Sequence, residues 1–292
     1  MNAKGVSRQR GRISVVAVTT IAGGILALTS TILAGWLWVA YRPREAAFRA
    51  DEPRVELLLQ VRTDQIVLSE SEGSLDPAQA VASVKDTIRK RLRQLGVTKW
   101  NVTRRPDDPA DHLLVQVAAS AGADPARVED LVVSQGALAF HLVEGGPWPS
   151  MEALAKSVGS SLPPDTTVLK DGTARCYLVR RAPVITGLDI ADAKPGLSSS
   201  NQPALSLSIT NQGAERLMHA TAANVGRQLA IVFDNLVRST PRIENTIGDQ
   251  AQITGGFTQA DVADLALLLR SGSFAAPVLV IERRTIGANG RR

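Results

Sequence analysis

The stretch QITGGFTQADVADLALLLRSGSFAAP (residues 252–277) contains the most completely specified helix in the sequence. Thr258 is placed to cap its N-terminus, and Asp261 can partly take the place of the Glu in a capping box. Phe257 and Val262 are spaced to form a hydrophobic staple across the first turn. Gly272 supplies the left-handed exit. Because all local signals agree, we predict a fixed, architectural helix. Its predicted buried stripe consists of Val262, Leu265, Ala266 and Leu269.

The first half of the sequence after residue 53 predicts a ferredoxin-like pattern. Apolar alternation and helix caps predict strands and helices in the order βαββαβ. The predicted strands are 55–61, 99–105, 112–118 and 137–143, and the predicted helices run from Asp76 to Leu95 and from Asp124 to Ser134. This order is that of the ferredoxin-like split βαβ motif.

The second half adds strands and helices without regular βα alternation. A segment rich in Pro, Gly and Ser, from residue 144 to about residue 171, is a predicted boundary. Beyond it, a helix is predicted at 212–224 and strands at 174–181, 204–210, 227–234, 237–244 and 277–283. The whole pattern favours the α+β class over a doubly wound sheet.

The first predicted helix carries a cationic cluster opposite its apolar stripe, made of Arg89, Lys90, Arg91 and Arg93. Two interpretations are open. The cluster could contact acidic partners or lipid headgroups, or it could be a solvated face whose cations favour the negative end of the helix. We prefer the solvated face.

Residues 13–41 form an uncharged run bounded by Arg12 and Arg42. A bilayer core requires about 20 apolar residues, so this run predicts a single transmembrane helix. A cleaved signal peptide and a buried core helix are the alternatives. The Lys and Arg residues of the 1–12 tail favour an N-terminus in the cytoplasm. Residues 42–53 are a predicted stalk, and residues 288–292 are a second basic tail.

The charge pattern argues against a nucleic-acid-binding protein. The 292-residue chain has a net charge of +5. Between Pro53 and Ile281, however, 22 Lys and Arg residues face 24 Asp and Glu residues, which leaves −2. The basic excess therefore lies at the chain ends, where anionic lipid is the expected contact. The single cysteine, Cys176, cannot form an internal disulfide.

No catalytic, metal or cofactor constellation is visible in the sequence. The three histidines, His112, His141 and His219, are far apart and lack metal-ligand spacing. The serine-rich run at 198–202 lacks the context of a hydrolase nucleophile, and no phosphate-binding loop occurs. We expect neither an enzyme nor a cofactor.

Several ordered blocks resemble the periplasmic domain of the SecD family, the accessory subunit of the Sec protein-export channel. The resemblance runs through LAIVFDNLVRSTPRI (229–243), ITGGFTQADVADLALLLRSGSFAAP (253–277) and ERRTIG (282–287). It extends more thinly through APVITGLDIADA (182–193), GAERLMHATAANVGRQLA (213–230) and LAFHLV (138–143), and through IRKRLRQLGV (88–97), which matches at Arg91, Leu95, Gly96 and Val97. The family-motif positions, which we expect to be mainly structural, are Gly187, Asp189, Asn224, Gly226, Asp234, Pro241, Thr254, Gly255, Phe257, Thr258, Asp264, Arg270, Gly272 and Pro277. No position is assigned to substrate binding.

The resemblance implies a ferredoxin-like base at residues 54–144, a head region at 145–275 and a final strand at 276–287 that returns to the base. It also implies a role in Sec-dependent export, with transient binding of unfolded pre-proteins on the outer side of the inner membrane. The family's domain leads into further membrane helices that carry the proton pathway, whereas this sequence ends TIGANGRR. We therefore expect a truncated form that depends on SecF, SecYEG or a full-length SecD for energy.

Two other functions remain as alternatives. A divergent SecD-like protein could serve as an envelope adaptor or assembly factor with no direct role in export. An enzyme whose site forms only in three dimensions is the third interpretation.

Overall fold

The computed structural model describes residues 44–66, 76–105, 107–118, 124–159 and 161–287. The predicted basic tails (1–12 and 288–292) and the predicted membrane helix (13–41) lie outside the described residues. Within the described ranges, no helix combines the length and the apolar character that crossing a bilayer requires.

The chain folds as a mixture of helices and largely antiparallel strands, which places it in the predicted α+β class. In the described ranges the strands are β1 (Arg44–Glu45), β2 (Arg54–Val61), β3 (Lys99–Thr103), β4 (His112–Ala118), β5 (Leu138–Trp148), β6 (Thr166–Asp171), β7 (Cys176–Arg180), β8 (Ile185–Thr186), β9 (Ile190–Leu197), β10 (Pro203–Ile209), β11 (Leu229–Phe233), β12 (Leu236–Ser239), β13 (Gln250–Thr254) and β14 (Val278–Ile286). The α-helices are α1 (Pro77–Gln94), α2 (Pro125–Val133), α3 (Met151–Val158), α4 (Asn211–Ala222) and α5 (Gln259–Ser271).

A five-stranded sheet with the order β1–β3–β4–β2–β14 forms what we call the terminal unit, together with α1 and α2. Strand β2 lies between β4 and β14 and is antiparallel to both. Both helices cover the same face of this sheet, because the inward residues of β2 and the apolar stripe of α1 share one core. That core includes Leu57, Leu59, Val84, Ile88, Leu92, Trp100, Val115, Val128 and Val132. Burial of each large aliphatic side chain contributes about 1.5–3 kcal/mol.

Strand β5 does not close this sheet, contrary to the sequence prediction that placed 137–143 as the last strand of the βαββαβ pattern. It pairs with β11, with Phe140 opposite Ile231, and with β7 and β8. The strand beside β2 is instead β14, where Val278 lies opposite Val61. Both segments are apolar runs of strand length, and a hydrophobic pattern identifies a strand without identifying its partner.

Residues 138–271 form what we call the inserted unit, which lies in sequence between α2 and β14. Strands β5, β11, β12, β6 and β7 pair successively and close into a ring around a small core. A separate sheet has the order β13–β10–β9. The larger core lies between this sheet, α5 and the outer side of β5 and β11. All five residues of β11 are buried because its two faces contribute to two cores.

Local capping signals place the helices as predicted. Asp76 and Gln79 form a capping box at α1, and Thr258 and Asp261 form one at α5. Val262, Ala266 and Leu269 of the predicted stripe are buried, whereas Leu265 is only half-buried. Leu267 and Leu268 are buried in addition, because the helix packs against both α1 and β9.

The described part of the predicted stalk packs onto the terminal unit. Strand β1 runs parallel to β3. Glu45 pairs with Arg89 at 2.8 Å, and Glu52 pairs with Lys99 at 2.6 Å. The ammonium of Lys99 also lies 4.7 Å from the centre of the Phe48 ring. Residues 44–53 therefore have a defined path along the sheet.

Candidate functional site

A cleft of about 770 Å³ opens between α2 of the terminal unit and the inserted unit. Its walls are the C-terminal part of α2, one side of α5, the β6–β7 turn and the β11–β12 hairpin. Seven of its twenty lining residues are apolar or aromatic, and the others are polar or charged residues and two glycines. The seven are Leu131, Tyr177, Phe233, Val237, Phe257, Leu265 and Leu268. The volume lies in the range of about 300–1,000 Å³ that is typical of ligand-binding pockets.

The carboxylates that line the cleft are largely occupied by partners within the protein. Arg175 pairs with Asp171 at 2.7 Å, and Arg127 pairs with Asp264 at 2.6 Å. Burial alone would raise the pKa of Asp171, but hydrogen bonds from Thr173 and Arg175 outweigh it and lower the pKa to about 2. Asp171 is therefore ionised at neutral pH and suited to structure rather than to proton transfer.

Asp234 fastens the β11–β12 hairpin to the segment that follows α2. Its carboxylate accepts hydrogen bonds from the Ser134 hydroxyl at 2.6 Å and from the Ala137 amide at 2.8 Å. Its own amide donates to the Ala137 carbonyl at 2.9 Å. Asp234 has φ 49°, a left-handed conformation that Asp tolerates better than most residues. The turn is thus held by side chain and main chain together.

Arg91 is fully buried, which corrects the prediction that it belongs to a solvated cationic face. Its guanidinium donates to the carbonyls of Leu131 at 3.0 Å, Ser134, and Gly272 at 3.1 Å. The Phe274 ring lies 4.2 Å from the Arg91 Cζ. Burial lowers the pKa of Arg91 to about 10, so the side chain remains cationic at neutral pH. The other cations of the cluster are exposed or half-buried, as predicted.

The structure brings a subset of the family-motif positions to the cleft. Asp234, Phe257 and Asp264 line it. Thr258 caps α5 just beyond Phe257, where Asp261 completes the cap. Gly255 has φ 149°. At the end of β13, the Thr254 carbonyl accepts a hydrogen bond from the Ser239 hydroxyl at 3.5 Å.

The remaining motif positions lie elsewhere and have local structural partners. Asp189 is buried, accepts from the Thr186 amide at 2.9 Å and pairs with Arg216. Asn224 donates to the Ala220 carbonyl at 2.7 Å and closes the end of α4. The others are Gly187 in a 3-10 turn, Gly226 with φ 87°, Pro241 after β12, the exposed Arg270, the α5 cap Gly272, and Pro277 before β14.

The sequence did not predict that Arg91, Ser134 and Gln135 lie together between the C-terminal ends of α2 and α5. One signal was available for Arg91: it lies three residues after Ile88 and four before Leu95, which places it on the buried side of α1. No comparable signal marks Gln135, whose amide donates to the Phe274 carbonyl at 2.8 Å. That contact joins residues distant in sequence.

A second exposed surface is the outer edge of the terminal unit. Strand β14 pairs with β2 on one side only in the described sheet. Three consecutive apolar residues, Leu279, Val280 and Ile281, are 46%, 39% and 48% exposed. An extended chain can add to such an edge through main-chain hydrogen bonds, so β14 is the natural comparison for the cleft in binding experiments.

The histidines do not converge. His141 is buried in β5, with Nδ1 2.8 Å from the Arg180 carbonyl, and burial lowers its pKa. His112 lies in β4 and His219 is exposed on α4. Among the residues that the structure describes, no group of three or more His, Cys, Asp or Glu side chains could hold a metal ion.

Comparison with known proteins agrees with this architecture. The family model described as "SecDF, P1 head subdomain" matches residues 165–276, which cover most of the inserted unit. The protein translocase subunit SecD of Elusimicrobium minutum (strain Pei191) is 32% identical over 225 residues. The chain carries a SecD-family periplasmic domain. The SecD match covers 71% of this chain and 46% of that relative. The SecD of Aquifex aeolicus (strain VF5) is 34% identical over 203 residues, or 69% of this chain and 38% of the relative.

Solved structures of SecDF share the fold. One, described as "Structure and function of a membrane component SecDF that enhances protein export", has a TM-score of 0.57 at 24% identity and covers 78% of this chain and 98% of that chain. The crystal structure of SecDF in a super-membrane-facing form has a TM-score of 0.61 at 25% identity, covering 90% of this chain and 35% of the other. The chain spans less than half the length of the two SecD relatives.

Proposed function

We propose that this chain is a SecD-like accessory factor in Sec-dependent protein export and that the cleft transiently binds unfolded pre-protein segments. The main support is a cleft in a SecD-family domain whose lining combines apolar side chains with polar groups. Two of its carboxylates, Asp171 and Asp264, are paired with arginines of the same chain. Contacts with mixed apolar side chains and main-chain groups tolerate many sequences. Such tolerance is what a factor that handles varied exported chains requires. The role is binding, without catalysis or a cofactor.

The terminal unit corresponds in this proposal to a ferredoxin-like base, and the inserted unit corresponds to a head. Strand order β3–β4–β2–β14, with α1 and α2 on one face, supports the base. The ferredoxin-like pattern βαββαβ is then completed by β14 rather than β5. The family match at residues 165–276 supports the head assignment because it covers most of the inserted unit and ends close to its C-terminal limit.

We further propose that residues 13–41 anchor the protein in the inner membrane as a single helix, with a cytoplasmic N-terminus and an extracytoplasmic main domain. The uncharged run and its flanking cations support this arrangement. Its partners would be the membrane, unfolded pre-proteins and Sec components such as SecF, SecYEG or a full-length SecD. Directional movement of the bound segment would draw its energy from those components. Nucleic acid is not a proposed partner.

Binding of an unfolded chain to two matched variants tests this function. The probe is fluorescein-labelled, reduced and carboxymethylated α-lactalbumin, and the readout is fluorescence anisotropy with the full chain. Leu265→Ser removes apolar surface from the cleft, and Ile281→Ser makes the same kind of change on β14. We expect weaker binding only for Leu265→Ser.

The other outcomes separate the alternatives. Weaker binding only for Ile281→Ser would move the site to the edge of the terminal unit. No binding by the unaltered chain, together with retrieval of envelope proteins but never Sec components in co-purification, would support an adaptor or assembly factor instead.

A further inference from the structure

Arg91 is a buried cation whose hydrogen-bond acceptors, among the described residues, are neutral, and the charge of the Asp234 carboxylate only partly offsets the effect of burial on its pKa. Its guanidinium donates to carbonyl oxygens of Leu131, Ser134 and Gln135 on one side. On the other side it donates to the Gly272 carbonyl at 3.1 Å and the Ser271 hydroxyl at 3.3 Å. A planar guanidinium with five donors can serve two directions at once, which a lysine ammonium cannot do with the same geometry.

The acceptors belong to the C-terminal ends of two helices. Leu131 and Ser134 lie at the end of α2, and Ser271 and Gly272 lie at the end of α5. The last carbonyls of a helix lack intrahelical donors and carry the negative end of the helix dipole. A cation between two such ends satisfies both, so the α2 and α5 ends are held against the same side chain of α1.

The same two helices form walls of the cleft. Leu131 and Ser134 line one wall, and Leu268 lines another. The close fit extends to Gly136, where an added Cβ would lie 2.7 Å from the Arg91 Nη2. The Arg91 side chain therefore contacts the back of both walls and does not itself line the cleft.

We propose that Arg91 is a positioning residue for the binding cleft: it fixes the separation of the α2 and α5 walls from inside the protein. The predicted effect of Arg91 on binding rests on the proposed function, whereas its predicted effect on the distance between α2 and α5 does not. Arg91 sets the width of the cleft, and Asp234 holds the third wall through Ser134.

The test compares Arg91→Lys with Arg93→Lys in the full chain. Arg93 is an exposed residue of the same helix, so its substitution controls for the loss of a guanidinium. Spin labels at Ala126→Cys and Ala260→Cys, which are exposed on α2 and α5 and do not line the cleft, report the wall separation by pulsed electron paramagnetic resonance. The buried thiol of Cys176 is replaced by Ser in all variants. Anisotropy with carboxymethylated α-lactalbumin reports binding, and circular dichroism confirms folding.

We expect Arg91→Lys to fold, to broaden or shift the distance distribution and to weaken binding about tenfold, whereas Arg93→Lys changes neither. An unchanged distance distribution in folded Arg91→Lys would overturn the inference. If Arg91→Lys does not fold, Gly136→Ala serves as the second variant, because its added Cβ displaces the Arg91 guanidinium. Gly136→Ala should broaden the distance distribution in the same way. An unchanged distribution in Gly136→Ala would also overturn the inference. Lack of binding by the unaltered chain would contradict the proposed function, while the distances would still test the role of Arg91.

Discussion

Replacing Asp234 separates two contributions to the stability of the β11–β12 hairpin: the hydrogen bonds of the Asp234 carboxylate and its left-handed backbone conformation. Asp234→Ala removes two hydrogen bonds to a carboxylate, from Ser134 and Ala137. Bonds of this kind contribute about 1.5–3 kcal/mol each, and we take the lower end because Asp234 is half-buried. Alanine in the left-handed conformation costs about 1 kcal/mol more. The expected loss is about 4 kcal/mol of the free energy of unfolding.

Two further substitutions at Asp234 divide this total. Asp234→Gly loses the hydrogen bonds but accepts φ 49° without strain. Asp234→Asn keeps one acceptor oxygen and tolerates the left-handed conformation. The order of stability should therefore be wild type, Asn, Gly, Ala.

Urea unfolding of the full chain, followed by circular dichroism, measures this series. A loss of about 4 kcal/mol corresponds to a fall in melting temperature of roughly 8–16 °C for a domain of this size. A loss below about 1 kcal/mol for Asp234→Ala, or equal losses for Gly and Asn, would refute the assigned role of the carboxylate.

Three other perturbations test separate parts of the structure. Thr258→Ala should lower the unfolding free energy by about 1 kcal/mol in urea titrations, since it removes the cap of α5; no loss would contradict the cap. Gly213→Ala should lower the free energy of unfolding by about 1–3 kcal/mol, because the new Cβ would lie 2.7 Å from the Asp189 Cβ. Gly196→Ala, where the new Cβ meets open space, should lower it less. Equal urea midpoints for the two variants would contradict this packing. The folded pKa of Asp171 lies below its unfolded value, so its stabilisation is present above about pH 4 and is lost as pH falls towards 2. Asp171→Asn should therefore show a shallower loss of stability over that window in acid titrations, and an unchanged slope would contradict the low pKa.

Features fixed by neighbouring residues were predictable from the sequence. The start of α1 at Asp76 depends on the adjacent Pro77, and the cap of α5 depends on Thr258 and Asp261, and the structure confirms both. The alternation of β4 likewise places Leu113, Val115 and Val117 on the buried face. These signals are local, so no knowledge of the fold was needed.

Features that depend on distant contacts were not predictable. One sheet partner of β5 is β11, which follows β5 in the sequence by about 80 residues and comes after β6 and β7. Strand β9 was missed because it contains Pro195 and Gly196, which an edge strand paired only with β10 can accommodate. Strand β13 is short and largely polar, QAQIT, so its pattern resembles a loop. The burial of Arg91 required knowing that two helix ends converge on it.

The most direct test of the central claim is site-specific photo-crosslinking in cells that are exporting a stalled pre-protein. A photoreactive residue replaces Leu265 in the cleft or, as a control, the exposed Gln202 at the β9–β10 turn. The proposed role predicts a crosslink to the pre-protein from position 265 that exceeds any from position 202. Equal crosslinking from both positions, or none from position 265 while export proceeds, would contradict it.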